Sequence, residues 1–451
     1  MLHDNLQFAS QPPVSVGILS ATEINVTLEA AYTDSASGTA VQGPQTFSVA
    51  PDGTGVVWQG EIHREVMLTP AESQVCTFEV ADVVIGVGFH WERRENQRFS
   101  GSLKIIAENG RITLINILPV EDYLLSVISS EMSATASLEL LKAHAVISRG
   151  WLLAQIVKNR EIAAGVDNCG AEMIENDSER VRWYDREDHL NFDVCADDHC
   201  QRYQGVTRQS TPRVAEAIAA TRGLVLTADG RLCDTRFSKC CGGVFEEVEN
   251  CWEPQHHSYL VARRDYTSPD DFPDLRDEKN AREWIMNRPD AFCHTNDKNI
   301  LSQVLNNYDQ ETADFYRWEV NYSRAELSAL VRERSGIDFG EIRDLQPVER
   351  GTSGRIIRLR IVGTRRTMVI GKELEIRRTL SPSHLYSSAF VVERGAPDSE
   401  GLPESFTLYG AGWGHGVGLC QIGAAVMGEQ GYGYEAILAH YFPGAALTRL
   451  Y

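Results

Sequence analysis

The sequence predicts an α+β protein: a strand-rich core, a helical hairpin carrying a candidate acid, and a second or inserted α+β domain. Three features predict it. Alternating or β-branched runs broken by Gly, Asn and Asp fill the opening part of the chain. Apolar residues at helical spacing follow. A polar stretch rich in Asp and Pro then precedes further helix and strand patterns.

In chain order, residues 15–26, 55–68 and 101–118 read as strands. Residues 121–130 and 138–157 read as two helices joined by a turn over 132–137. The polar stretch runs from 254 to about 314, after which 323–335 reads as a helix and 356–370 as strands. This divides the chain into a strand-rich region 1–95, a core 96–264 with the hairpin, a second or inserted domain 265–395, and a closing segment 396–451 that completes the core.

The 451 residues carry 43 Lys and Arg against 63 Asp and Glu, a net charge of -20. Nucleic acid and anionic membranes call for basic surface, so the charge points to an uncharged or peptide-free polymer as partner. No apolar run approaches the roughly 18 residues that span a bilayer. The first 13 residues lack the basic start and apolar middle of a secretion signal, so the sequence reads as cytoplasmic or as a mature or shortened form. Ten cysteines are spread along the chain without the compact spacing of a disulfide framework.

Glu131 is the candidate acid. On a helix beginning near Glu121 it follows Leu124, Val127 and Ile128 on one apolar stripe. Desolvation favours the protonated carboxyl, which can give its proton to a leaving glycosidic oxygen. The alternative is a solvated helix-end carboxylate. Lys142, on the second helix, can approach Glu131 across an antiparallel hairpin and orient the acid or a sugar hydroxyl; the other reading is an exposed amphipathic lysine.

His189, Cys195, His199 and Cys200 place two imidazoles and two thiols within twelve residues. That is the sulfur and nitrogen set zinc prefers, although no standard finger spacing occurs. Cys241 or water is an alternative to His199 as fourth ligand. A disulfide or two buried thiols is the competing reading. Ser238 lies in Phe237-Ser238-Lys239-Cys240-Cys241-Gly242-Gly243, a turn that either approaches a ligand or is an ordinary β-turn.

In Gly412-Trp413-Gly414-His415-Gly416-Val417-Gly418, glycine at every second position suggests a strand face stripped of side chains. Such a face could floor a sugar ring while Trp413, His415 and Gln421 stack and hydrogen-bond. Tight backbone packing without a ligand is the other reading.

Several motifs occur in order: Val120-Glu121-Asp122-Tyr123, Ser130-Glu131-Met132, Leu141-Lys142-Ala143-His144-Ala145, Cys200-Gln201-Arg202-Tyr203-Gln204-Gly205, the glycine segment, and His440-Tyr441-Phe442-Pro443-Gly444. From about residue 95 to the C-terminus the chain resembles the stage II sporulation protein D family, also called the amidase-enhancer family.

The resemblance implies a peptidoglycan lytic transglycosylase acting in the cell envelope on glycan strands freed of stem peptides, with Glu131 as acid and then base. It also implies Gln201 and Tyr203 as substrate contacts and a zinc site near the cleft that shapes the pocket. A noncatalytic glycan-binding activator of a cell-wall amidase and, more remotely, a zinc hydrolase are the alternatives. The chain departs from the family pattern at Gly150-Trp151, at Leu419-Cys420 and at Cys240-Cys241.

Overall fold

The architecture comes from a computed structural model that describes the chain apart from residues 1–7, 9, 72–75, 86–92, 134, 164–172, 184–188, 198–199, 209–210, 253 and 305–313. It is an α+β fold. The opening segment builds an eleven-stranded sheet. In Glu23–Asp34, Ile24, Val26 and Leu28 are buried while Glu23, Asn25 and Thr27 are exposed, the period-two alternation of a strand with one face on a core. The expected strand over 101–118 is a hairpin, Ser102–Glu108 paired with Arg111–Pro119. It turns at Asn109-Gly110, whose positive φ angles (52° and 72°) suit a two-residue hairpin loop.

Pro13–Ala21 pairs with Arg111–Pro119 on one side and, in parallel, with the short strand Val194–Cys195 on the other. This edge brings Cys195 opposite Gly17. A Cβ on Gly17 would lie 2.6 Å from the Phe192 ring, so glycine is required for the close approach.

The strand Arg111–Pro119 runs directly into helix α1 (Val120–Glu131), followed after a short turn by α2 (Leu138–Ala163). The hairpin falls where the sequence places it, although α2 runs past 157 to Ala163. Tyr123, Leu124, Val127 and Ile128 of α1 are fully buried. Each such side chain contributes roughly 1.5–3 kcal/mol on leaving water. Helix α3 (Pro212–Ala220) packs on both, its start capped by the Thr211 hydroxyl.

Two main hydrophobic clusters follow. The first joins the large sheet, α1 and α2 to Phe245, Phe292, Phe315, Val417 and Tyr441. The second contains Trp318, Leu327, Val331, Leu359, Ile370, Phe406 and Leu408. The clusters therefore do not divide at 265 and 395: Phe292 and Phe315 pack with the first, Phe406 and Leu408 with the second. Within the second, Arg324–Ser335 starts on a Ser323 and Glu326 capping box and ends at left-handed Gly336. Among the described residues no helix is long and apolar enough to cross a membrane.

Candidate functional site

Glu131 is the last residue of α1 and is half-buried, at the end of the stripe formed by Leu124, Val127 and Ile128. The turn after it is held from outside the hairpin. Ser133 N–H donates to the Gln303 carbonyl (2.9 Å), and Ser137 N–H to Gln303 Oε1 (3.1 Å). Gln303 Nε2 in turn donates to Glu429 Oε1 (2.6 Å), at the end of the helix Gln421–Glu429. The 4 % exposed Gln303 thus couples the position of Glu131 to the closing segment. Beside this turn lies a depression of about 370 Å³ lined by Thr135, Asn299, Ser302, Gln303 and Glu429, among others.

The thiol cluster lies at the sheet edge where Val194–Cys195 pairs with Pro13–Ala21. His189 Nε2 lies 3.5 Å from Cys200 Sγ, and one ligand atom from each of His189, Cys195 and Cys200 falls within 4.8 Å of the others. His189 stacks on Phe192. All three residues are half-buried and present the sulfur and nitrogen donors that zinc takes, so the residues fit the metal the sequence suggested. His199 lies outside the described residues. Tyr123 lies within electrostatic reach of both the cluster and the acid. Burial, then the nearby Cys200 and Cys195, holds its phenol far above the usual range, and Glu131 adds to the effect.

Several expected contacts turn out to be framework. Gln201 is 1 % exposed; it accepts from Tyr123 Oη (3.4 Å) and donates to the Ser148 carbonyl (3.3 Å). Tyr203, also 1 % exposed, donates to Asn116 Oδ1 (2.6 Å) and stacks on Tyr123 at 5.1 Å. Gln421 is buried with its amide 3.2 Å from Nε2 of His144, whose pKa burial and then Lys239 push down to about 3. These three side chains face the interior and hold α1, α2 and the closing segment together; they do not face a ligand. Lys142 is engaged within its own helix and by the closing segment. Its ammonium pairs with Glu139 (2.7 Å), three residues before it on α2, and lies over the Tyr434 ring.

The glycine segment is not an open strand floor. Gly412, Gly414, Gly416 and Gly418 all have positive φ. Cβ atoms would meet the Cys240 carbonyl at Gly412 (2.7 Å), the Arg355 guanidinium at Gly416 (2.4 Å) and the Arg236 carbonyl at Gly418 (2.2 Å). The second reading holds: the glycines allow tight backbone packing.

Trp413 and Cys240 exchange backbone hydrogen bonds, and the half-buried Trp413 ring lies between Phe315 and Tyr386. His415 accepts from Val417 N–H and packs edge-on to Trp252. Burial, then Arg236, Arg355 and Arg377, pushes its pKa down to about 3. Ser238 is 7 % exposed and its hydroxyl has no hydrogen-bond partner among the described residues.

The buried ion pair between Glu121 and Arg149 escaped the sequence reading. Arg149 Nε and Nη2 donate to the two carboxylate oxygens at 2.9 and 2.6 Å, and Gly223 N–H and Tyr451 Oη also donate to Oε1. An acidic residue followed one helix later by an arginine in an apolar run was the available signal.

Residues 108–227, which contain Glu131, Lys142 and the His189, Cys195 and Cys200 cluster, match the stage II sporulation protein family. Over those residues the chain carries a stage II sporulation protein domain, and its curated relatives include stage II sporulation protein D. It is 21 % identical over 332 residues to stage II sporulation protein D of Bacillus subtilis (strain 168), covering 73 % of this chain and 75 % of that protein. To an uncharacterized protein of Brachyspira hyodysenteriae it is 24 % identical over 351 residues, 78 % and 72 % of the two chains. The amidase enhancer of Bacillus subtilis is 23 % identical over 246 residues, 52 % of this chain and 32 % of that one. Residues 246–418 match a domain of unknown function (DUF8618), which takes in Trp413 and His415 of this stage II sporulation protein D relative. The stage II sporulation domain and the amidase-enhancer relative support a cell-wall-related role.

Proposed function

We propose that this chain is a peptidoglycan lytic transglycosylase of the cell envelope that cleaves peptide-free glycan between N-acetylmuramic acid and N-acetylglucosamine. Glu131 carries the reading: a half-buried carboxyl at the end of an apolar helix stripe, followed by a turn that Gln303 pins and whose Thr135 lines an open depression. Protonated Glu131 gives its proton to the bridging oxygen as the bond from that oxygen to the muramic anomeric carbon breaks. The resulting carboxylate takes the proton of the muramic C6 hydroxyl, whose oxygen bonds to the anomeric carbon and closes a 1,6-anhydro ring. The acid ends the cycle protonated. The nucleophile belongs to the substrate, so no water is activated and no second carboxylate is required.

Trp413, through a partly exposed ring, is the remaining candidate for sugar contact; the Ser238 hydroxyl is buried. Zinc held by His189, Cys195 and Cys200 would supply rigidity near Tyr123. The test is digestion of glycan strands stripped of stem peptides with the purified protein, followed by mass spectrometry. Anhydro-ended fragments are expected; their absence overturns the reading.

The relative named amidase enhancer favours a second reading, a glycan-binding activator of a cell-wall amidase. It predicts faster stem-peptide release when the chain is added to an amidase, with no anhydro ends.

A further inference from the structure

A second group of donor atoms lies apart from His189, Cys195 and Cys200. Cys241, Asp265, Cys293 and Cys420 are each at most 1 % exposed, and one ligand atom from each lies within 4.8 Å of the others. Cys241 Sγ is 3.6 Å from Cys293 Sγ and 3.4 Å from Asp265 Oδ2. A tetrahedral ion with sulfur at about 2.3 Å and oxygen at about 2.0 Å separates its ligand atoms by about 3.8 Å (S to S) and about 3.5 Å (S to O). The observed spacing matches a single ion. It is too long for a disulfide bond, which needs about 2.05 Å. It is also tight for an iron–sulfur cluster, which interposes several atoms between its cysteines.

We propose that Cys241, Asp265, Cys293 and Cys420 form a buried mononuclear metal site of zinc type, clamping three remote segments beneath the glycine loop.

The surroundings suit such a site. Asp265 presents Oδ2 to Cys241 and accepts Cys293 N–H there (3.2 Å), while Oδ1 accepts the Tyr441 hydroxyl (2.8 Å) and lies 3.4 Å from His440 Nε2. This outer layer fixes the carboxylate, as partners of metal ligands do. Three thiolates and a carboxylate around a divalent ion leave two negative charges. Cys241 N–H points at Cys420 Sγ (3.2 Å), and Cys420 sits at the N-terminus of Gln421–Glu429, where helix dipoles favour anions. The buried guanidinium of Arg317 donates to the Gly242 carbonyl and that of Arg355 to the Cys241 carbonyl, setting two cations next to the cluster.

The site anchors the 240–243 turn, the 265–293 segment and the start of the helix that carries Gln421, which reaches Glu131's turn through Glu429 and Gln303. The departures from the family pattern at Cys240-Cys241 and Leu419-Cys420 supply two of its ligands. The inference does not depend on the transglycosylase reading.

Complete burial leaves the ion no path out of the folded protein, whereas the half-buried outer cluster is open to a chelator. The experiment uses full-length protein purified under reducing conditions and dialysed against EDTA. Zinc is then counted by mass spectrometry before and after unfolding in guanidinium. One equivalent is expected to survive dialysis and to be released on unfolding. It is expected to remain in a His189→Ala, Cys195→Ala, Cys200→Ala variant and to disappear in Cys293→Ala. Should Cys293→Ala fail to fold, refolding the outer-cluster variant with cobalt(II) decides. Thiolate-to-cobalt charge-transfer and tetrahedral bands support the site. Absence of those bands, loss of all metal to EDTA from the folded protein, or a Cys241 to Cys293 disulfide in the peptide map overturns it.

Discussion

Arg149→Ala would test how the hairpin is held. The guanidinium is fully buried and meets both oxygens of a carboxylate that is itself 4 % exposed. Its Nη1 also donates to the Leu224 carbonyl (3.0 Å). Truncation leaves Glu121 with Gly223 N–H and Tyr451 Oη only, and orphans Leu224 O. Breaking one side of a buried pair costs about 3–5 kcal/mol, because the surviving charge stays desolvated.

Burial alone would raise the Glu121 pKa; Arg149, Tyr451 and Gly223 more than offset it and leave it lowered. A lowered carboxylate pKa contributes stability above the unfolded value, near 4.5, that is lost as pH falls through the folded one. Arg149→Ala should therefore be least costly at acid pH. Equilibrium urea unfolding followed by tryptophan fluorescence reads the change at pH 7 and pH 4, and Glu121→Leu combined with Arg149→Met should recover much of the loss. A cost below about 1 kcal/mol at pH 7, the range of exposed pairs, would refute the reasoning.

Gly418→Ala forces a Cβ to 2.2 Å from the Arg236 carbonyl at φ +71°, and should cost at least about 2 kcal/mol in the same assay; a neutral result contradicts the packing account. His144, held neutral with a pKa of about 3 against 6.5 unfolded, makes stability fall as pH drops between those values, by up to about 1.4 kcal/mol per pH unit. His144→Asn should flatten that slope, and an unchanged slope counts against the burial. Chelation of the outer cluster should lower glycan cleavage by about 10- to 100-fold at most. Loss as complete as that of the acid variant would move the chemistry onto the metal.

The hairpin was legible because helical periodicity and its turn are local, and the same is true of the His189, Cys195 and Cys200 grouping, whose members lie within one short segment. Glycine periodicity misled: alternate glycines mimic a strand, but the positive φ angles and the chains pressed against them depend on Cys240, Arg236 and Arg355, far away in sequence. Gln201 and Tyr203 read as sugar contacts by resemblance and Gln421 by its place beside the glycine segment; their partners, Ser148, Asn116 and His144, come from other elements. Gln303 carried no signal at all, lying in the polar stretch next to residues 305–313.

Rates of anhydro-product formation by wild type and Glu131→Gln on peptide-free glycan, with glycan binding measured in parallel, test the central claim most directly. The account predicts a fall of about 10²- to 10⁴-fold in rate, the usual share of a general acid, with binding retained. Equal rates, or no anhydro products from wild type, would contradict it.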